Sequence, residues 1–332
     1  MPTIYQTGQK IDHYEIIRLL GQGGASHVYL AQDRRALQAV VLKFPADDVI
    51  GGAAIFARYK REAEIGKRLN HPFIQRHVNR GEERSADYLV LEYLRGRTLR
   101  AVMREHAPAL LPTAEVIRIL LQVCEALAYA HEQGVIHRDM KPENILLLDT
   151  GEIKLLDFGI ALFLEKEHRL AWRRSPYFSS PVGTPDYMAP ERLQGGRGDA
   201  RADIYAVGVV LYELLCGRTP FEEHEGFVLI TQQLSHDPPG ILERNSTLPP
   251  ALATVVMRAI RRDPERRYTS MREMLHDLGH LDDVTVVDYV PAPPKLGGRY
   301  RQAIRTALIV LIACLGIVAF GLLAQFAHHI VH

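Results

Sequence analysis

Four runs in the first third of the chain follow the period of two that a half-buried strand requires: 14–20 (YEIIRLL), 27–33 (HVYLAQD), 39–44 (AVVLKF) and 87–93 (DYLVLEY). One stretch with helical spacing, 54–69, interrupts them. Past Gly96 the pattern turns helical. Apolar positions recur every three or four residues over 113–133, and Gly134 supplies the left-handed residue that ends a helix. The run 202–215 is apolar and closed by Gly217, 250–261 opens with a proline where the first turn tolerates one, and 270–278 continues the pattern. A small sheet with one helix, followed by a larger helical part, is the expected order.

The C-terminus departs from this pattern. Residues 306–327 (TALIVLIACLGIVAFGLLAQFA) carry no charge, and about 22 residues at 1.5 Å each reach roughly 33 Å, enough to cross a bilayer core. Arg299, Arg301 and Arg305 precede the run and no Lys or Arg follows it. The positive-inside rule then predicts a single-pass protein of the cell membrane with its N-terminal part in the cytoplasm. Residues 328–332 form a short extracytoplasmic tail, too small for a sensor domain. Between them, 282–305 reads as a juxtamembrane linker, rich in proline and glycine at VTVVDYVPAPPKLGG. Residues 1–13 read as an N-terminal extension without a signal peptide. The net charge of +1 predicts no nucleic-acid partner. Cys124, Cys216 and Cys314 lie far apart without metal-ligand spacing, as expected of small apolar residues in a reducing compartment.

The chemistry is concentrated in VIHRDMKPEN, residues 135–144. Asp139 can accept a proton from a hydroxyl, Lys141 can neutralise a phosphate, and Asn144 can hold a metal by its amide oxygen. After the strand-like run 153–156 comes Asp157-Phe158-Gly159, with a second metal-binding carboxylate. A base, a cation and two oxygen ligands are the parts of phosphoryl transfer, which is mostly positioning and charge neutralisation.

This string resembles the catalytic and magnesium loops of the protein kinase superfamily, and the resemblance extends over 14–281. It implies an α+β, two-lobed protein kinase fold: a small, mainly antiparallel β lobe with one helix (14–93), a larger α-helical lobe (96–281), and here one transmembrane helix besides. It also implies ATP and Mg²⁺ (or Mn²⁺) as cofactors. Leu20-Gly21-Gln22-Gly23-Gly24-Ala25-Ser26-His27-Val28 stands where kinases place the glycine-rich loop over the phosphates, with Ser26 replacing the third glycine. Lys43 by itself reads as a solvated strand end. Val40 to Lys43 resembles the family's V-A-I-K, which implies that Lys43 holds the α- and β-phosphates. Counting back from Asn70-His71-Pro72 puts its glutamate partner at Glu62, leaving Glu64 on a solvated face. The adenine is expected against Glu92-Tyr93-Leu94, behind Leu91. By the same resemblance Asp139 orients the acceptor hydroxyl, Asn144 and Asp157 bind the metal, and His137 is a packed scaffold residue.

Lys141 and Gly183-Thr184-Pro185-Asp186-Tyr187-Met188-Ala189-Pro190-Glu191 resemble the serine/threonine branch of the family. Thr184 is expected to bond Asp139 and Lys141, Glu191 to pair with Arg267, and Asp203 to support the catalytic loop. Arg138 directly before the base implies an activation loop fixed by phosphate, with Ser180 or Ser179 as the site. The reading is thus a membrane-anchored serine/threonine protein kinase of the bacterial, eukaryotic-like type, acting on protein substrates in signalling. Autophosphorylation between neighbours is expected, through a transient kinase–kinase dimer. Two rivals stand beside it. A pseudokinase has only Ser26 and Val41 in its favour, and a small-molecule phosphotransferase would lack the Ala-Pro-Glu segment.

Overall fold

The computed structural model describes residues 5–22, 26–45, 52–78, 84–158, 162–163, 185–221 and 226–291. Lys10–Ile11 (β1), Tyr14–Gln22 (β2), Ser26–Asp33 (β3), Gln38–Pro45 (β4) and Leu89–Glu92 (β5) pair antiparallel in that order. Alternation along these strands gives the sheet two faces. Tyr14, Tyr29, Leu42, Phe44, Tyr88 and Val90 fill one, while Val28, Val41, Leu89 and Leu91 turn to the other, where Tyr59 and Ala63 of helix α1 (Gly52–Arg68) cover them. Lys43 stands opposite Val28 and Leu89 in the ladder, so it belongs to this second face.

The sheet begins earlier than its hydrophobic pattern suggests. β1 lies within the expected N-terminal extension, and Tyr5 packs on Tyr29 and Phe44, with ring centroids 5.8 and 4.6 Å away. A two-residue strand and a lone tyrosine carry no periodic signal, and only their partners reveal them.

One glycine fixes how closely α1 approaches the sheet. A Cβ on Gly66 would lie 2.2 Å from Cγ of His77, an atom too near its own backbone to swing aside. His77 in turn bridges to Leu91. Burial first, then the Lys43 and Arg84 charges, depress its imidazole to about 4, so the ring packs there as a neutral group. Gly66→Ala is therefore expected to destabilise the protein by about 1–3 kcal/mol through overpacking, despite alanine's helix propensity being about 1 kcal/mol better. Denaturant unfolding should show this loss, and His77→Ala in the same chain should recover part of it.

The second lobe is built on α3 (Thr113–Glu132) and a later helix spanning Ala200–Cys216, which share one apolar core. That later helix is buried at every residue from Ala202 to Leu215, capped by Asp199 at its start and by Gly217 (φ 75°) at its end. Several short elements escape the periodic reading. Leu99–His106 (α2) starts where Thr98 accepts a hydrogen bond from Ala101 N–H. Gly96–Thr98 (β6), Ile145–Leu148 (β8) and Ile153–Leu155 (β9) form a three-stranded sheet, and Val135–Ile136 (β7) pairs with Leu162–Phe163 (β10).

The expected linker does not leave the domain at residue 282. Val284 and Tyr289 pack against the helical core, the Tyr289 hydroxyl donates to Pro238 O at 2.6 Å, and Arg261 lies 4.3 Å over the Tyr289 ring. Among the described residues no helix is long and apolar enough to cross a membrane. The expected span 306–327 and tail 328–332 lie outside the described residues, as do Cys314, Gly23, Gly24, Ala25, Thr184, Ser179 and Ser180.

Candidate active site

α3 delivers the chain, past Gly134 (φ 73°), into the buried strand β7 and straight on to His137, Arg138 and Asp139. This loop is pinned from below. Asp203, wholly buried, accepts from His137 N–H, Arg138 N–H and the His131 ring, each at 2.8 Å. Burial pushes its carboxyl up, but these bonds and the nearby histidines win, leaving it below the usual range. His137 has no exposed surface: its Nε2 meets Leu156 O at 3.0 Å and its ring lies 4.6 Å from that of Phe158.

Arg138 takes a left-handed backbone (φ 70°), a conformation that strains a side-chain-bearing residue and turns the next one outward. Asp139 then faces Lys141, 3.0 Å away, and the Asn144 amide nitrogen, which reaches its carboxylate at 3.1 Å and its backbone carbonyl at 2.6 Å. Pro142 opens the 3-10 turn 142–144 that carries Asn144 to the start of β8.

The β8–β9 hairpin brings the second carboxylate alongside. Ile145 pairs with Leu155, and Leu156 N–H donates to Asn144 O at 2.9 Å, so Asp157 follows directly beside Asn144. Asp157 too has positive φ (57°), and its carboxylate lies 2.8 Å from Lys43 Nζ. Lys43 also holds both oxygens of Glu62, at 2.8 and 2.9 Å. Burial works against the Lys43 ammonium, but Glu62 and Asp157 outweigh it and keep the lysine charged. Glu64 instead pairs with Lys67 on an exposed face. Two polar clusters thus meet at the hairpin, Glu62–Lys43–Asp157 from the sheet side and Asn144–Asp139–Lys141 on the catalytic loop, joined by the bond from Leu156 N–H to Asn144 O.

Of the expected glycine loop, Leu20, Gly21 and Gln22 end β2, and Ser26, His27 and Val28 begin β3, with Gly21 opposite Val28. Val28 shares the face of Lys43. His27 does not: strand alternation turns it to the other side, where it is buried opposite Phe44, so only its backbone belongs to the loop. Glu92 closes β5 with a use for each of its polar groups. Its N–H donates to Arg76 O, its carboxylate accepts from Arg76 N–H and Lys154 Nζ, and its carbonyl accepts from the Gln75 amide at 3.0 Å. Tyr93 and Leu94 follow, partly buried.

Some of the surrounding residues were expected and others not. Arg267 donates to both oxygens of Glu191, at 2.8 and 2.7 Å. Unforeseen in the sequence is Arg100, which joins Glu143 of the catalytic turn (2.8 Å) to buried Glu213 (2.7 Å) and to the Tyr187 hydroxyl. Its position in the first turn of a short helix gives no motif to read. Gln75 was equally silent. No cluster of three or more His, Cys, Asp or Glu able to hold a metal occurs among the described residues. The candidate ligands are the amide oxygen of Asn144 and the carboxylate of Asp157, a hard-oxygen pair that suits a cation keeping phosphates and waters in its other positions.

Residues 14–278 match the family model for the protein kinase domain. The chain is 36% identical over 271 residues to the serine/threonine-protein kinase PknB of Mycobacterium leprae, covering 80% of this chain and 42% of that protein. It is 34% identical over 272 residues to the serine/threonine-protein kinase PrkC of Bacillus subtilis, covering 82% and 41%. The chain thus spans less than half the length of these relatives. The crystal structure of the Mycobacterium tuberculosis PknI kinase domain matches with a TM-score of 0.63 at 28% identity, covering 84% of this chain and all of that one.

Proposed function

Since residues 14–278 match that model, the chain belongs to the protein kinase family, and from this premise we propose that it is a serine/threonine protein kinase transferring the γ-phosphate of ATP to protein hydroxyls. The observation that carries the reading is the pair of clusters Glu62–Lys43–Asp157 and Asn144–Asp139–Lys141, brought together by the bond from Leu156 N–H to Asn144 O. In this reading the nucleotide lies under the 20–28 loop, its base against Glu92 and Leu94. Lys43, already held by Glu62, meets the α- and β-phosphates. Asp139 accepts the hydrogen bond of the acceptor hydroxyl and aims its oxygen, and Lys141 neutralises the phosphoryl group in flight; the oxygen bonds the γ-phosphorus, its proton passes to Asp139, and the bond from the γ-phosphorus to the bridging oxygen breaks as ADP leaves. Asn144, whose amide nitrogen is turned on Asp139, and Asp157 would hold Mg²⁺ by their oxygens. When bound, the metal neutralises the charge of the triphosphate. EDTA should abolish transfer and excess Mg²⁺ or Mn²⁺ restore it; transfer that persists in EDTA defeats the reading.

Arg138 supports regulation by phosphate. It is 9% exposed, its Nε lacks a partner among the described residues, and burial, then the Arg192, Arg61 and Arg197 charges, lower its guanidinium to about 10. Positive charge gathered this way, with a buried donor to satisfy, suits a dianionic phosphate. Ser179 or Ser180 is proposed to carry it. Changing both to alanine should slow transfer markedly, and mass spectrometry of the active protein should find phosphate on one of them. An unphosphorylated loop with full activity in the double variant would sink this.

The apolar run 306–327 supports anchoring in the cell membrane with the kinase domain in the cytoplasm, the protein substrates and neighbouring kinases being met at that surface. No pair of glycines spaced for close helix packing occurs in it, so the encounter between kinases is transient rather than a tight helix dimer. Alkaline carbonate washing should leave the full chain in the membrane; its appearance in the wash contradicts the anchor.

A further inference from the structure

The rear of the cleft holds a side chain that the phosphate-transfer path does not use. Gln75 is tied to both lobes: its backbone N–H donates to Leu155 O (3.0 Å), two residues before Asp157, and its side-chain amide donates to Glu92 O (3.0 Å). It is partly buried, between the strand that leads to Asp157 and the segment 92–94 against which the base is placed. Glu92 is held there, since its N–H and carboxylate are both engaged by the Arg76 backbone and its carboxylate also by Lys154. Its carbonyl oxygen is therefore a fixed acceptor, and the side chain resting on it is the movable partner.

A bare carbonyl at this point reads a base in one way only. It accepts from an amino group, as on C6 of adenine, and faces the oxygen of a 6-oxopurine with no proton between them. Such a mismatch leaves two acceptors unpaired in a closed site and rejects the wrong base strongly. A primary amide changes this. Its NH₂ can stay on Glu92 O and offer its second hydrogen to a 6-oxo group, or the amide can turn and accept from a 6-amino group. Amides read purine edges by this donor–acceptor pairing in other settings.

We propose that Gln75 is a specificity-determining residue for the nucleotide base, and that it admits 6-oxopurine nucleotides, GTP among them, beside ATP. The proposal rests on the reading that the base lies against Glu92 and Leu94. Gln75 acts on the base rather than on phosphate or acceptor, so its replacement is read in the ratio of ATP to GTP affinities.

The test is the ratio of affinities for ATP and GTP, measured by titration calorimetry on the full chain in detergent, with kcat/KM for both nucleotides beside it. The wild type should favour ATP by no more than about tenfold, the worth of a single hydrogen bond. Gln75→Val and Gln75→Met should each raise that preference by a further tenfold or so. Gln75→Met keeps the length of the side chain, so a folding loss in the valine variant does not end the test. A wild-type preference for ATP above about a thousandfold overturns the proposal, and so does a ratio that both variants leave unchanged. Failure of the kinase reading itself looks different: nucleotide binds and no phosphate moves, and the ratio of affinities still decides the role of Gln75.

Discussion

Asp139→Asn is expected to lower phosphate transfer by about 10²–10⁴-fold, the usual worth of a positioned acid–base group, with folding unchanged. The substitution keeps size and hydrogen-bonding capacity where Asp139 meets Lys141 and Asn144, but removes the charge that accepts the substrate hydroxyl. The loss should fall on kcat, because the group acts on the acceptor and not on the nucleotide. Near wild-type kcat in a folded variant defeats the assignment. Lys43→Met is a poorer control than its place in the motif suggests. It strips the only hydrogen-bond partner, among the described residues, of the carboxylate of Glu62, which is 5% exposed, and breaking a buried pair from one side costs about 3–5 kcal/mol. Activity lost in that variant mixes chemistry with stability.

The second large effect is on stability. Asp203→Ala should destabilise the domain by about 3–5 kcal/mol, because it leaves the N–H groups of His137 and Arg138 buried without an acceptor. At this domain size that is a fall in Tm of about 10 °C. The pH dependence follows from the same bonds. The Asp203 carboxyl is held below its ordinary value of 3.8 in the folded state, so its stabilisation is complete above that value and is lost as the pH falls through the lower, folded one. Wild type and Asp203→Ala should therefore draw together in Tm on the acid side, below about pH 4. A constant gap between them from pH 7 to pH 3 would contradict the charged state assigned to Asp203.

The site was legible in the sequence where its parts are adjacent in the chain. Asp139, Lys141 and Asn144 share one turn, and Asp157 follows by one hairpin. Lys43 and Glu62 could be placed by strand and helix counting, although 19 residues separate them. What stayed hidden has no local signature. Arg100 and Glu213 meet across 113 residues, and Gln75 bonds Glu92 and Leu155 from a segment without regular structure. Strands β6, β8 and β9 are three or four residues long, too short for a period to show, and their form is decided by pairing and packing. The docking of Tyr289 was masked by the prolines around it, which read as linker until its hydroxyl is seen on Pro238 O.

The kinase assignment is tested most directly by phosphoamino-acid analysis of a generic protein incubated with the chain, Mg²⁺ and γ-labelled ATP. Label on serine or threonine, absent with Asp139→Asn, is the predicted result. No transfer to any acceptor by the folded wild type, or label only on a small molecule or on tyrosine, would contradict it.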